Sequence, residues 1–167
     1  RPSAGARTRV AVLPLRNDSP RRGAGELVAL EIVRHLASRG ELETIEPGVV
    51  REALLQSRMI GSEGVSTPQL ELLGVMLHPD LVVSGTVFEY ADGIALDQPP
   101  AVDFITQVFD VRQGRIVWSS LSHNSGADGV RLFDWGRVRT AQGLSSRMVA
   151  QVVERARRAL LVEREGR

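Results

Sequence analysis

The chain has 167 residues, 43% of them apolar, and a net charge of +1. This predicts one domain with a sizeable aliphatic core, because only four Phe, two Trp and one Tyr are present. Cysteine and lysine do not occur, which excludes disulfides, thiolate metal sites, Schiff-base lysines and phosphate-loop lysines. No apolar run approaches the roughly 18 residues of a membrane-spanning helix.

The charges are unevenly distributed along the chain. Residues 41–110 contain twelve acidic residues and two arginines, whereas residues 112–167 contain eleven arginines and five acidic residues. Two interpretations remain open. Either the two halves neutralise each other when they pack together, or the molecule has opposed charged surfaces suited to head-to-tail contacts.

Strands and helices alternate in the first half. Residues 8–15 predict a buried strand with Pro14 at its end or edge, because proline cannot donate to a sheet. After a loop over 16–25, apolar residues at the helical period predict a helix that stops at Gly40. The elements that follow are a strand over 42–46, a helix over 47–57 and a helix that begins at Thr67-Pro68 and ends before His78.

The stretch from Asp80 to Ser120 predicts three consecutive strands. Residues 81–90 and 101–111 are rich in β-branched side chains, which favour strands. Gly114 supplies the positive φ that a short hairpin loop requires. The three strands therefore form a meander.

The last helix has one continuous apolar stripe with charged residues opposite it. Docking on the sheet is the favoured interpretation, and membrane-surface binding is the alternative. The predicted fold class is α/β (α+β), with a mixed sheet of four to five strands in the order β-α-β-α-α-β-β-β-α, helices packed on it and a C-terminal amphipathic helix. One domain is expected over residues 7–162, between a flexible tail over 1–6 and a tail over 163–167.

Catalytic chemistry has little support in the sequence. His35, His78 and His123 are isolated from one another, and neither a His-Glu-x-x-His motif nor a Gly-x-Ser-x-Gly elbow occurs. We therefore predict no catalytic residue, no cofactor and no metal ligand. The scarcity of aromatic residues also argues against a nucleic-acid platform.

One loop has the position of an anion site. Arg21, Arg22, Gly23 and Gly25 follow a strand and open a helix, where backbone N–H groups can bind an anion. The third glycine of a dinucleotide fingerprint is missing, because Val28 takes its place. A small anion- or nucleotide-binding module is therefore one alternative function, and a flexible helix entry is the other interpretation.

A second loop has the composition of a binding surface. The segment 126–139 concentrates aromatic and basic residues of the kind that dominate binding hot spots: Arg131, Phe133, Trp135, Arg137 and Arg139. We predict that these residues bind a partner protein. The alternative is that Phe133 and Trp135 turn inward and cap the core where the last helix docks.

Three motifs in order carry a family resemblance. VAVLPLRN at 10–17, PDLVVSGTV at 79–87 and FDVRQGRIVWS at 109–119 together resemble the TolB amino-terminal-like superfamily of bacterial envelope lipoproteins. That group includes the curli secretion channel subunits and the lipoprotein activators of penicillin-binding proteins. The resemblance spans about residues 8–160, in the same order of elements.

The resemblance implies a periplasmic domain tethered to the outer membrane through a lipidated cysteine upstream of Arg1. It implies a non-enzymatic protein that binds another envelope protein as an accessory or activator in envelope assembly, and it leaves a homo-oligomer open. An oligomeric subunit of a secretion or surface-polymer system is the other alternative. A channel subunit would need inserted hairpins with strands of about 9–11 residues, and the links 90–101 and 56–67 are too short and polar for them.

Overall fold

The computed structural model describes residues 7–38, 40, 42–59, 66–93, 98–125, 138 and 140–165. The elements are β1 (Thr8–Val12), β2 (Arg16–Asn17), α1 (Ala24–Ala37), β3 (Leu42–Thr44), α2 (Pro47–Gln56), α3 (Thr67–Leu77), β4 (Leu81–Ala91), β5 (Ala101–Asp110), β6 (Arg115–Ser125) and α4 (Ala141–Glu165).

The strands form one mixed sheet in the order β3-β1-β4-β5-β6. β1 is parallel to both β3 and β4, whereas β4, β5 and β6 form an antiparallel meander. The predicted fold class, the order of the main elements and the C-terminal helix are therefore confirmed.

The segment around Pro14 differs from the single strand that the sequence predicts. Val12 pairs with Val83 and Arg16 pairs with Thr86, so the N-terminal segment contains one residue more than β4 between these two pairs. Such a bulge suits a proline, which has no N–H to donate. Its result is the short strand β2, which continues the pairing with β4.

Helices α1 and α4 cover one face of the sheet, which we call the inner face. The last-helix stripe is buried there, so docking on the sheet is the correct interpretation of it. The residues of α4 in this core are Ala141, Leu144, Met148, Val149, Val152 and Val153. They pack with the strand residues Val83, Val87, Tyr90, Val102, Phe104 and Val108.

Helices α2 and α3 cover part of the opposite, outer face. Their core contains Val50, Leu54, Leu70, Leu73 and Leu77, packed on the strand residues Ala11, Leu13, Val82 and Phe109. The Arg9 guanidinium donates to the carbonyl oxygens of Leu77 and His78, which ties the end of α3 to β1. None of the helices in the described ranges has the length and apolar character that a membrane crossing requires.

Several element boundaries differ from the sequence prediction. α1 ends at Ala37, before the predicted stop at Gly40, and β3 ends at Thr44, before the predicted end at residue 46. α3 begins at Thr67, as predicted, and its N-cap is Ser66, which forms a capping box with Gln69. β6 continues to Ser125, past the predicted end of the meander at Ser120. α4 extends to Glu165, past the expected domain end at residue 162.

Candidate interaction surface

Strand pairing in the meander creates an uncovered surface beyond the reach of α2 and α3. Val82 pairs with Phe109 beneath those helices, but further along the strands Thr86 pairs with Ile105 and Ile105 with Leu121. Because side chains alternate between faces, these three lie on the same face as Val82. We call the following set the outer meander face: Thr86, Glu89, Asp103, Ile105, Leu121 and His123.

The outer meander face exposes large apolar side chains. Leu121 is 67% exposed beside the half-buried Ile105, and Phe88, at the border of this face in β4, is 45% exposed. Phe88 is the extra residue of a bulge, since Val87 pairs with Phe104 while Glu89 pairs with Asp103. Bulges redirect side chains and are frequent beside functional sites. An aromatic ring is thus presented to solvent from the middle of an otherwise regular strand.

Carboxylates border the apolar residues at one end of this face. Glu89 lies opposite Asp103, and Asp103 lies opposite His123. The His123 Nδ1 atom is 3.6 Å from Asp103 Oδ2, while the buried Oδ1 atom of Asp103 has no hydrogen-bond partner in the described structure. Like charges opposite each other destabilise a sheet, so the two carboxylates of Glu89 and Asp103 favour a partner that brings a cation or a hydrogen-bond donor.

The outer edge of β6 adjoins the outer meander face. Within the described part of the chain, β6 pairs with β5 and with no other strand. An unpaired edge offers a row of backbone N–H and C=O groups to another chain. Among the described strands, the outer edge of β6 therefore has no strand partner and adjoins exposed apolar side chains.

The four residues of the predicted anion loop are brought together at the start of α1. Gly23 is the N-cap, with a left-handed φ of 74°, and a Cβ on Gly25 would overlap the Leu15 carbonyl oxygen. The Arg21 guanidinium lies 3.4 Å from Asp92 Oδ2, so a carboxylate of the chain itself faces it. The loop geometry thus has a structural explanation, and anion binding at these residues stays a prediction.

Asp92 joins three segments beside that loop. Its Oδ2 atom faces Arg21, and its Oδ1 atom accepts a hydrogen bond from the Ala141 N–H at 2.9 Å, at the first residue of α4. Burial raises the pKa of Tyr90 above its usual value, and the nearby Asp92 carboxylate raises it further. Asp92 therefore fixes the start of the helix that covers the inner face.

The predicted partner-binding residues Arg131, Phe133, Trp135, Arg137 and Arg139 lie outside the described residues, so both interpretations of them stay predictions. The sequence does not predict the outer meander face, because Phe88, Ile105 and Leu121 resemble ordinary core residues. The alternation of Asp103, Ile105 and Gln107 with buried neighbours in β5 is the signal that could have separated the faces.

The acidic part of the chain contacts the N-terminal segment. Glu43 pairs with Arg9, Asp92 pairs with Arg21, and Asp80 accepts a hydrogen bond from the Arg9 backbone N–H. These carboxylates therefore have local structural roles. Both interpretations of the uneven charge distribution stay predictions.

No protein-family model and no curated protein sequence matches this chain. Solved structures do match it. PelC from Paraburkholderia phytofirmans, a dodecamer, is 22% identical, with a TM-score of 0.60 over 88% of this chain and 86% of that one. The lipoprotein GNA1162 from Neisseria meningitidis is 20% identical, with a TM-score of 0.60 over 90% and 99% of the two chains.

The C-terminal domain of LpoB from Salmonella enterica is 18% identical, with a TM-score of 0.53 over 74% of this chain and 86% of that one. This chain has the same fold as these proteins. The similarity shows the fold alone, and that fold agrees with the one that the sequence motifs imply. It does not bear on the TolB and curli-channel names, which stay predictions.

Proposed function

We propose that this chain is a non-enzymatic, envelope lipoprotein-type domain that acts by binding another protein on its outer meander face. The observation that carries this proposal is the row formed by Thr86, Ile105 and Leu121, with Phe88 beside it, on a sheet face that the described helices leave open. Exposed apolar patches with a polar border mark protein interaction sites. The shared fold with a lipoprotein and with LpoB supports the periplasmic or outer-membrane location.

The mechanism would be docking, with Phe88 as the anchor. An aromatic side chain that leaves water on binding contributes a large area at low cost in conformational entropy. The carboxylates Glu89 and Asp103 would fix the orientation by accepting hydrogen bonds from basic groups of the partner. A partner with an apolar surface flanked by arginine or lysine matches this arrangement.

A pull-down from the envelope fraction of the source bacterium tests the proposal. The wild-type chain and a Phe88→Ala variant are compared with Leu30→Ala, because Leu30 is a 53% exposed apolar residue on α1, on the other side of the sheet. Wild type and Leu30→Ala should retain the same amount of the same partner. Phe88→Ala should retain at least about ten-fold less of it, as expected for a hot-spot residue. Equal retention by all three proteins would contradict the proposal.

A second candidate function is an oligomeric subunit of a secretion or surface-polymer assembly. Its support is the dodecameric PelC structure with the same fold. Light scattering at high protein concentration and low salt should then give a mass well above that of a dimer. A monomer or a dimer under those conditions contradicts this candidate and leaves the docking proposal intact.

A further inference from the structure

The two edges of the sheet differ in a way that points to a second copy of this chain. The edge strand β3 has three residues, and its Glu43 carboxylate is paired with Arg9. The edge strand β6 has eleven residues. Proteins usually protect sheet edges with short strands, charges or prolines, and β3 follows this rule.

The regular part of β6 lacks those protections. A bulge falls at its start, because Trp118 pairs with Val108 while Ile116 pairs with Phe109. After the bulge, residues 118–124 contain no proline, glycine, arginine, aspartate or glutamate. This run is long enough for several main-chain hydrogen bonds with an added strand.

The sequence of the edge is self-complementary for antiparallel pairing. Ser120-Leu121-Ser122 reads the same in both directions, so a two-fold axis at Leu121 places Ser120 opposite Ser122 of a second copy. Residues that face each other across such a pair have their side chains on the same side of the sheet. Ser119 then lies opposite His123, so a hydroxyl faces an imidazole across the pair.

The same axis completes the apolar row of the outer meander face. In one copy the row runs from Thr86 through Ile105 to the 67% exposed Leu121, where it stops at the edge. Leu121 of the second copy would continue it, because residues directly opposite have Cβ atoms about 4.5–5.5 Å apart. The most exposed apolar side chain of the meander would thus gain an apolar neighbour from an identical strand.

We propose that two copies of this chain pair through β6, antiparallel about a two-fold axis at Leu121, into one continuous sheet. An isologous contact of this kind uses one patch twice and closes at the dimer. A single strand pair buries less than a standard interface, so dimerisation depends on protein concentration. The proposal is independent of the compartment. It shares Leu121 with the partner surface proposed above, whereas Phe88 is not part of the β6 pair, so variants of Phe88 and of Leu121 distinguish the two proposals.

Cysteine cross-linking tests the register, since the chain has no native cysteine. Leu121→Cys places two thiols across the axis, where an oxidant should join them into a disulfide dimer. Ser119→Cys is the matched control on the same strand. In the proposed register Ser119 lies four residues away from Ser119 of the second copy, about 13 Å along the strand, which is too far for a disulfide.

Leu121→Cys should cross-link at least about ten-fold faster than Ser119→Cys, in line with this difference in distance. Sedimentation provides the second measurement. Wild type and Leu30→Arg should show a concentration-dependent dimer, and Leu121→Arg should remain monomeric because two like charges would oppose each other at the axis. Equal cross-linking of the two cysteine variants, or a Leu121→Arg dimer as stable as wild type, would overturn the proposal.

Discussion

The two faces of β5 differ in how deeply their side chains are buried. On the inner face Val102, Phe104 and Val108 are buried beneath the helices, and Phe104 is 0% exposed. On the outer face Asp103, Ile105 and Gln107 are only half-buried. The two sets alternate residue by residue, so the same strand stabilises the domain with one set and, in the proposed function, binds a partner with the other. Substitutions at adjacent positions can therefore separate stability from interaction.

The strongest test of this contrast compares Phe104→Ala with Ile105→Ala. Phe104→Ala should lower the free energy of unfolding by about 3–5 kcal/mol, because it removes a fully buried ring and leaves a cavity. Ile105→Ala should cost about 1 kcal/mol, since that side chain is already half-exposed. Chemical denaturation measures both. Equal losses would show that the outer meander face is covered in solution.

An intermediate effect on stability is expected at Asp92, which binds the first residue of α4 on the inner face. Asp92→Ala should lower the free energy of unfolding by about 1 kcal/mol, because the Ala141 N–H at the start of α4 loses its acceptor. Arg21→Ala is the control, since it removes the exposed ion pair and keeps that hydrogen bond. If thermal unfolding of the two variants is identical, the contact with α4 is not what Asp92 contributes.

The smallest effect on stability is expected at Glu154 on α4. Hydrogen bonds from Arg157 and Arg158 lower the pKa of Glu154 from 4.5 to about 2. A lowered pKa in the folded state stabilises the protein above pH 4.5, and this stabilisation disappears as the pH falls towards 2. The difference in unfolding temperature between wild type and Glu154→Gln should therefore shrink over that range.

Glu71→Gln serves as the matched control for that measurement, because Glu71 is an exposed carboxylate on α3. The effect at Glu154 is small since its ion pairs are in contact with water. A constant difference between wild type and Glu154→Gln from pH 5 to pH 2 would contradict the assignment.

The sequence predicts most of the fold because its local signals agree with the global packing. The apolar stripe of α4 and the β-branched runs of β4 and β5 have clear periods, and Pro68 marks the first turn of α3. β2 was missed because it consists of only Arg16 and Asn17 after a proline. The last part of β6 was missed because the residues from Leu121 to Ser125 lack β-branched side chains.

The candidate surface was harder to predict because exposure depends on register. Phe88 and Leu121 are as apolar as any core residue. Their exposure follows from the pairing of the three meander strands, which the sequence alone does not give. The loop over 126–139 is predicted from its composition, and all of its residues except Val138 lie outside the described structure. Composition identifies residues that can bind, whereas register identifies where they are presented.

The extra residue around Pro14 has a consequence for how the chain tolerates changes in length. It reverses the in–out parity, so that Leu13 packs under α2 and α3 while Leu15 packs under α1 and α4. Deleting one residue between Val12 and Arg16 would restore regular alternation and turn one of these leucines to the wrong side. We therefore expect the fold to tolerate a substitution of Pro14 better than a deletion of any residue from 13 to 15. The length of this segment constrains the fold more than the identity of its side chains does.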